Sequence, residues 1–383
     1  MILDTTTLIW CGILLTLTIV TPLLNPFFRR LEPRGKKSGE EEVPLPSPAV
    51  SIVVIAEDNG YNLSDSLPML LTQEYAPGYE VIVVSAEGDT ATEDILKSHV
   101  HNPLLRTTFI PGSPLFMSRK KLAVTLGVKA AANEWIILTD AACIPTSAQW
   151  IDGLSRHCVK DAEMVIGYTN YDTDSPAYYR FEQMRTSCYL LRKAARTTAY
   201  SANGGNIAFR KSMFISGDGY RGNLEHIQGE YEFLVNKFAR NGKTRIATDE
   251  PARMTERAIT RKGWRNRHLY HLHARKYLKR SAAQTVLQST DMLAMHTGYL
   301  SAIGSGIAGG LLHNWTIAAV ASCCLILQLT IRTMIAGKVK KRLEPELKTW
   351  KLPFYEIRIP WSNMMHRLRF IMADKRAFTS HKL

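Results

Sequence analysis

The sequence has no cysteine framework. Its six cysteines, Cys11, Cys143, Cys158, Cys188, Cys323 and Cys324, match neither zinc-ligand spacing nor a disulfide scaffold. Reduced thiols in a cytoplasmic domain are the simplest account of them. There is no internal repeat with a period of about 20–50 residues, which sets aside solenoids and propellers. Low complexity is confined to one short charged and proline-rich stretch. The formal net charge of +14 comes without any nucleic-acid-binding motif, and the basic residues cluster beside apolar segments instead of forming a recognition patch, so direct binding of nucleic acid is not expected.

Charge is also missing from two long stretches. Residues 7–28 run for 22 residues without a charged side chain and stop at Arg29 and Arg30, a length that crosses a hydrocarbon layer about 30 Å thick. No basic region precedes the run and no small-residue cleavage site follows it, so a retained anchor is expected here, not a secretory signal peptide. Residues 292–335 form a second apolar region, broken at His313 and Asn314, with Arg332 as its only formal charge. A transmembrane hairpin is expected, because a helical pair buried in a soluble domain would normally carry a polar stripe. Gly298, Gly304, Gly306, Gly309 and Gly310 would let its two arms approach closely. Ten Lys/Arg against one acidic residue over 253–280, and twelve against four over 338–383, place the central domain and the C-terminus on the cytoplasmic side by the positive-inside rule. The N-terminus then lies outside. Three spans beside a dominant cytoplasmic domain make poor material for a transport pathway.

Between the apolar segments the pattern changes. After the charged and proline-rich linker, residues 50–56 and 80–84 are short β-branched runs flanking a helical stretch at 63–73. A helix over 120–132 and a strand over 135–139 ending at Asp140 follow. Near-continuous apolar strands alternating with helices predict a parallel sheet covered on both faces, with a ligand crevice at the carboxyl ends of the strands.

Candidate chemistry gathers at those strand ends and in the loops beyond. Asp58, in Ala56-Glu57-Asp58-Asn59, follows the first strand and could accept a hydrogen bond from a ligand or simply cap a turn. After the second strand, Val84-Ser85-Ala86-Glu87-Gly88-Asp89 offers Glu87 or Asp89, although a solvated loop reads the same way. Lys120, in Arg119-Lys120-Lys121, opens a helix, where ammonium and helix dipole together suit a diphosphate. The strand-end segment Leu138-Thr139-Asp140-Ala141-Ala142-Cys143-Ile144-Pro145 presents Asp140. In Ala202-Asn203-Gly204-Gly205-Asn206-Ile207-Ala208-Phe209-Arg210, the glycines permit backbone close to a ligand and Asn206 can both donate to and accept from hydroxyls. Gln228-Gly229-Glu230-Tyr231-Glu232 carries two carboxylates at i and i+2, which diverge by about 200° on a helix, so only one faces a given site. Arg267, His268 and His271 sit in a Trp264-led basic stretch that fits a diphosphate lid or an interfacial helix on anionic lipid.

In order and spacing over residues 50–280, these segments resemble the inverting family-2 glycosyltransferases, whose GT-A fold is a Rossmann-like α/β domain that binds nucleotide-diphospho-sugars. The resemblance implies that Asp58, Glu87, Lys120, Asp140, Asn206, Arg267 and His271 bind the donor. It implies Glu230 as the base that deprotonates the acceptor hydroxyl, with Glu232 second, and Asp140 as the ligand of Mg2+ or Mn2+. The chain departs from the pattern at Ser85, at Tyr231, and at Ala142, where the second carboxylate of an Asp-x-Asp pair would stand; metal affinity should therefore be reduced.

The expected organisation is a transmembrane anchor at 1–30, a linker at 31–49, the transferase domain at 50–280, a helical hairpin at 281–337 and a basic cytoplasmic or interfacial tail at 338–383. The expected activity is transfer of a sugar from a nucleotide donor, a UDP-sugar foremost, to a lipid-linked or saccharide acceptor of the cell envelope. The expected location is the bacterial inner membrane, crossed more than once and in contact with membrane lipid, and no nucleic-acid partner is expected. The competing expectation is a degraded transferase fold serving as a membrane scaffold or sugar-nucleotide binder.

Overall fold

The computed structural model describes residues 4–28, 31, 47–56, 60–111 and 118–374. The chain separates into two compact units, one joining Met1–Arg30 to Arg280–Met365 and the other joining Leu31–Lys279 to His366–Leu383. In chain order the first elements are α1 (Thr5–Leu23), β1 (Val50–Ile55), α2 (Gly60–Leu71), β2 (Tyr79–Ala86), α3 (Thr90–Ser98), β3 (Leu105–Ile110), α4 (Arg119–Ala130) and β4 (Trp135–Asp140). There follow β5 (Cys143–Pro145), α5 (Trp150–Ser155), β6 (Met164–Gly167), β7 (Thr169–Tyr171), α6 (Ala177–Arg196), β8 (Ile207–Arg210), α7 (Lys211–Ser216) and α8 (Glu230–Phe238). The chain continues through β9 (Thr244–Ala247), β10 (Met254–Glu256), α9 (Arg261–Ala274), α10 (Ser281–Leu311), α11 (Trp315–Leu343) and α12 (Leu352–Met372).

The second unit is a mixed α/β domain. Its seven-stranded sheet has the order β3-β2-β1-β4-β8-β6-β9, and a smaller sheet has the order β5-β10-β7. Strands β3, β2, β1 and β4 run parallel, and Ile55 registers with both Val84 and Asp140, so β1 and β4 end level while β2 continues to Ala86. All six residues of β1 are buried, which is what a β-branched strand covered on both faces requires. Helix α4 packs on this sheet through Gly127, where a Cβ would come within 2.4 Å of the Val53 side chain. Strand β10 pairs antiparallel with β5 and parallel with β7, so Glu256 registers with both Cys143 and Tyr171. That pairing returns the chain to the end of β4.

The periodicity of the sequence missed part of this domain. Strand β3, Leu-Arg-Thr-Thr-Phe-Ile, is a sheet edge with exposed polar positions, so it lacks the continuous apolar run of its neighbours. Helix α6 is rich in charge, yet Arg180, Glu182 and Arg185 are buried along it; the tertiary fold overrides a composition that reads as solvated.

The first unit is a helical bundle of reversed polarity. Helices α10 and α11 meet at a short turn, and among the described residues α1 and α11 are long and apolar enough to cross a membrane by length and composition. Ile19, Leu300, Ile307 and Ile326 face outward. Polar groups face in: Asn314 donates to the Thr7 hydroxyl at 2.8 Å, Gln328 donates to the Thr21 hydroxyl at 3.0 Å, and Arg332 donates to Glu356 at 2.9 and 3.0 Å and to Asp291 at 3.2 Å. Of the five glycines expected at helix contacts, Gly298 and Gly309 lie hard against Gln328 and the Ala318 backbone, whereas nothing lies within 4 Å of a Cβ at Gly304 or Gly310. Past the hairpin, α11 continues to Leu343 and α12 follows, so the expected tail holds a long helix. Residues 32–46 of the expected linker lie outside the described residues.

Candidate active site

Where β4 ends, a cleft of about 450 Å³ opens, lined in part by Lys120, Asp140, Gly205, Glu230, Tyr231 and His271. This volume is within the range of small-molecule sites. Each of these residues reaches it for a local reason. Asp140 is the last residue of β4; its Oδ1 accepts the Ala142 backbone N–H at 3.2 Å and its Oδ2 lies 3.5 Å from the Lys120 ammonium. Lys120 belongs to the first turn of α4, which is capped by Ser118. Its ammonium is also 3.6 Å from Glu230 Oε1, so it sits between two carboxylates.

Glu230 is the first residue of α8, entered through Gly229 at φ +98°. The carboxylate is buried, and its second oxygen has no hydrogen-bond partner. Lys121, beside Lys120 in sequence, points the other way. It is fully buried, donates to the carbonyls of Asn223 and His226 at 2.8 and 2.6 Å, and lies over the Phe233 ring. Lys121 thereby fixes the loop that delivers α8. Burial lowers its pKa to about 8, against the pull of Glu230 and Glu232 in the opposite direction.

Tyr231, where the sequence departs from the family pattern, also reaches the cleft. Its hydroxyl is buried without a partner, and a Cβ on Gly205 would come within 2.8 Å of that oxygen and 3.0 Å of the Asp140 backbone nitrogen. Gly205 is therefore the residue that lets the Asn203–Gly205 loop close on the end of β4. Burial, with Asp140 and Glu230 adding to it, raises the phenol well above its ordinary value, so Tyr231 is available as a neutral donor.

Glu232 pairs with His271 Nδ1 at 2.5 Å. Burial alone would raise its carboxyl, but the charge and hydrogen bond of His271 hold it below the usual value. Arg267 reaches the cleft too, but its guanidinium is engaged by both oxygens of Glu256 and by the Tyr171 hydroxyl at 3.1 Å. Glu256 also lines the cleft. No motif in the sequence singled it out, because only the β5–β10 pairing carries it there.

Several expected donor residues lie elsewhere. The Asn206 side chain is in the core, not in the cleft: its amide donates to the carbonyls of Tyr168 and Ala252 at 3.1 and 2.9 Å and accepts from the Trp150 indole at 3.2 Å. Its hydrogen-bonding capacity is spent on packing, and the loop before it supplies the cleft wall. Glu87 is exposed on the turn after β2 and does not line the cleft; Asp89 caps α3. His268 is bonded to Glu182 at 3.2 Å and stacked on His366, also away from the cleft lining. Asp58 lies outside the described residues.

The donor set does not fit the expected Mg2+ or Mn2+. Among the described residues no group of three or more His, Cys, Asp or Glu is placed to hold a metal ion. Ala142, which lines the cleft, brings no second carboxylate, and the oxygen of Asp140 that would ligate a cation faces the Lys120 ammonium. A hard divalent cation needs several oxygen ligands; here one carboxylate is already matched by a positive charge.

No family model matches the chain, and no curated protein sequence matches it. Among solved structures the chain is similar to a mannosyltransferase, PcManGT from Pyrobaculum calidifontis in complex with GDP-Man and Mn2+, at 14% identity and a TM-score of 0.49, over 93% of this chain and 99% of that one. It is also similar to TarS 1-349 from S. aureus in complex with UDP-GlcNAc, at 9% identity and a TM-score of 0.42, over 82% of this chain and 92% of that one.

Proposed function

We propose that the chain is an inverting glycosyltransferase with a GT-A domain, moving a sugar from a nucleotide-diphosphate donor to a membrane-associated or polysaccharide acceptor. The observation that carries this reading is the unpartnered buried oxygen of Glu230, set at the mouth of a parallel sheet beside Lys120 and Asp140. A carboxylate so placed suits a general base. In the reaction, the acceptor oxygen bonds to the anomeric carbon as that carbon's bond to the diphosphate oxygen breaks on the opposite face. The acceptor proton passes to Glu230, and the bonding electron pair leaves with the diphosphate. Lys120 stands where that departing charge would be met, and Tyr231 can donate a hydrogen bond into the same space. Glu232 is the weaker candidate for the base, because its carboxylate is already engaged by His271 Nδ1 at 2.5 Å.

Charge asymmetry in the sequence supports anchoring by α1 and α11 in a bacterial inner membrane, with the cleft open to the cytoplasm. The competing reading, a non-catalytic sugar-nucleotide-binding scaffold, draws on Ala142 and Ser85.

The test is transfer or donor hydrolysis by the full chain with a panel of UDP- and GDP-sugars. Glu230→Gln should lower turnover by about 10³-fold while donor binding persists, and Glu232→Gln should cost far less. Turnover that survives Glu230→Gln but not Glu232→Gln would reverse the assignment of the base. Donor binding without turnover across the panel would favour the scaffold.

A further inference from the structure

We infer that His271, held in place by Glu232, faces the acceptor and not the donor, and that with Asn266 it binds the hydroxyl groups of a neutral, sugar-like acceptor. The inference rests on the glycosyltransferase reading and goes beyond it by assigning one side of the cleft to the second substrate.

Three observations carry it. First, the residues of α9 that line the cleft, Gly263, Asn266, Arg267, Tyr270 and His271, recur at spacings of three and four and so form one face of the helix. The first turn of α8 divides the cleft, because Glu230 contacts Lys120 while Glu232, two residues on, contacts His271. Second, the α9 side carries no excess of positive charge. Burial pushes the Glu232 carboxyl up, but the charge and hydrogen bond of His271 hold it below the usual value, so it stays ionised. The Glu232–His271 pair then sums to zero with a protonated ring and to one negative charge with a neutral ring. Arg267 is matched by Glu256. A diphosphate on this side would meet no surplus cation, whereas a hydroxyl needs none. Third, the polar atoms suit hydroxyls. Nδ1 of His271 lies 2.5 Å from a Glu232 oxygen, and an ionised carboxylate only accepts, so Nδ1 carries a proton. The side chain is 37% exposed and lines the cleft; Nε2 is the ring nitrogen left for a ligand, and on a neutral ring it accepts. Asn266, exposed on the same helix face, both donates and accepts. The family resemblance pointed His271 at the donor; the charge balance turns it to the other substrate.

The test uses the full chain in detergent. UDP and GDP are titrated calorimetrically, and transfer is followed from the matching sugar nucleotides to a set of methyl hexosides and to a polyprenyl phosphate. His271→Asn keeps an amide near the Nδ1 position for Glu232 and removes Nε2. It should raise the acceptor KM of the best hexoside by about tenfold, with kcat and the nucleotide Kd within about threefold of the parent. His271→Gln, which can place a carboxamide oxygen near the Nε2 position, should recover most of the acceptor affinity. A loss of nucleotide affinity of about tenfold or more in His271→Asn would return this residue to the donor and overturn the inference. An unchanged acceptor KM, or transfer to the polyprenyl phosphate alone, would overturn it too, and each of these leaves the glycosyltransferase reading standing. If no nucleotide binds, or a nucleotide binds and neither class of acceptor is used, the glycosyltransferase reading itself fails and the inference falls with it. Should His271→Asn lose its melting transition, Asn266→Ala at its exposed position decides by the same measurements, with the same rise in acceptor KM expected.

Discussion

The α/β domain and the helical bundle bury opposite kinds of side chain. In the sheet, Ile52, Val53 and Val54 are wholly inaccessible, and charged residues reach the inside only where a partner meets them, as at Glu256 with Arg267. In the bundle, Leu300 is 67% exposed and Ile326 65%, while Asp291, Gln328 and Arg332 are at 0–1%. One hydrophobic rule covers both if the surroundings differ. Water rewards the first arrangement, and hydrocarbon rewards the second, where each polar group must find its partner inside the protein. Buried polar atoms without a hydrogen-bond partner occur in both regions: Gln328 Oε1 and the Tyr299 hydroxyl in the bundle, a carboxylate oxygen of Glu230 and the Tyr231 phenol in the cleft.

The largest effect that would sharpen this contrast lies in the bundle. Replacing Arg332 by Met strands Asp291 and Glu356 without their cation, and unfolding of the purified chain in detergent should become easier by about 3–5 kcal/mol. A near-neutral result would mean that those carboxylates find water, and the lipid reading would break. Next, Ile307→Asp places a charge on an outward-facing position. In water such a change costs almost nothing, but at a helix centre in lipid it costs about 2.5–3.5 kcal/mol. Loss of carbonate-resistant membrane association is expected, and unchanged association would put this face in solvent.

In the α/β domain, Asn206→Ala removes three hydrogen bonds from the core. It should cost about 1–3 kcal/mol of stability, read in a melting curve, with donor affinity of the folded fraction unchanged; a selective loss of affinity would restore Asn206 to the sugar pocket. The smallest effect is a pH slope. Burial, reinforced by the charge of neighbouring His268, lowers His366 to about 4, against the pull of Glu182. The folded state then binds fewer protons than the unfolded state between about pH 4 and 6.5, so stability attributable to this residue is present above about 6.5 and falls away as the pH drops through that window. His268 shifts the other way, because burial is outweighed by Glu182, and its contribution is present below about 6.5 and lost as the pH rises through its folded value. His366→Phe should flatten the acid side of the pH–stability profile while leaving the other side in place.

Much of the frame was legible in the sequence. The β-branched runs of β1, β2 and β4, the helix at Lys120, and Asp140 at a strand end follow from period and composition. Strand β3 and helix α6 were not legible, since an edge strand and a helix of buried charge both imitate solvated chain. In the cleft, the Gly-Gly-Asn segment contributes Gly204 and Gly205 to the lining, while the Asn206 side chain turns into the core. A sequence can say that glycines permit close approach; it cannot say that the neighbouring amide points inward to Tyr168, Trp150 and Ala252. Glu256 left no local signal at all, because its position depends on a pairing between strands more than 100 residues apart.

By itself the sequence determined where apolar runs are long enough to leave water, where strands are covered on both faces, and which carboxylates and lysines stand at their ends. These are local matters of length, period and charge, decided within a few residues. Only the tertiary structure decided that Lys120, and not Lys121, reaches between Asp140 and Glu230, that Gly205 gives Tyr231 its place, and that Asn206 belongs to the core. Those outcomes depend on the direction of single side chains in packed surroundings, which register and long-range pairing set.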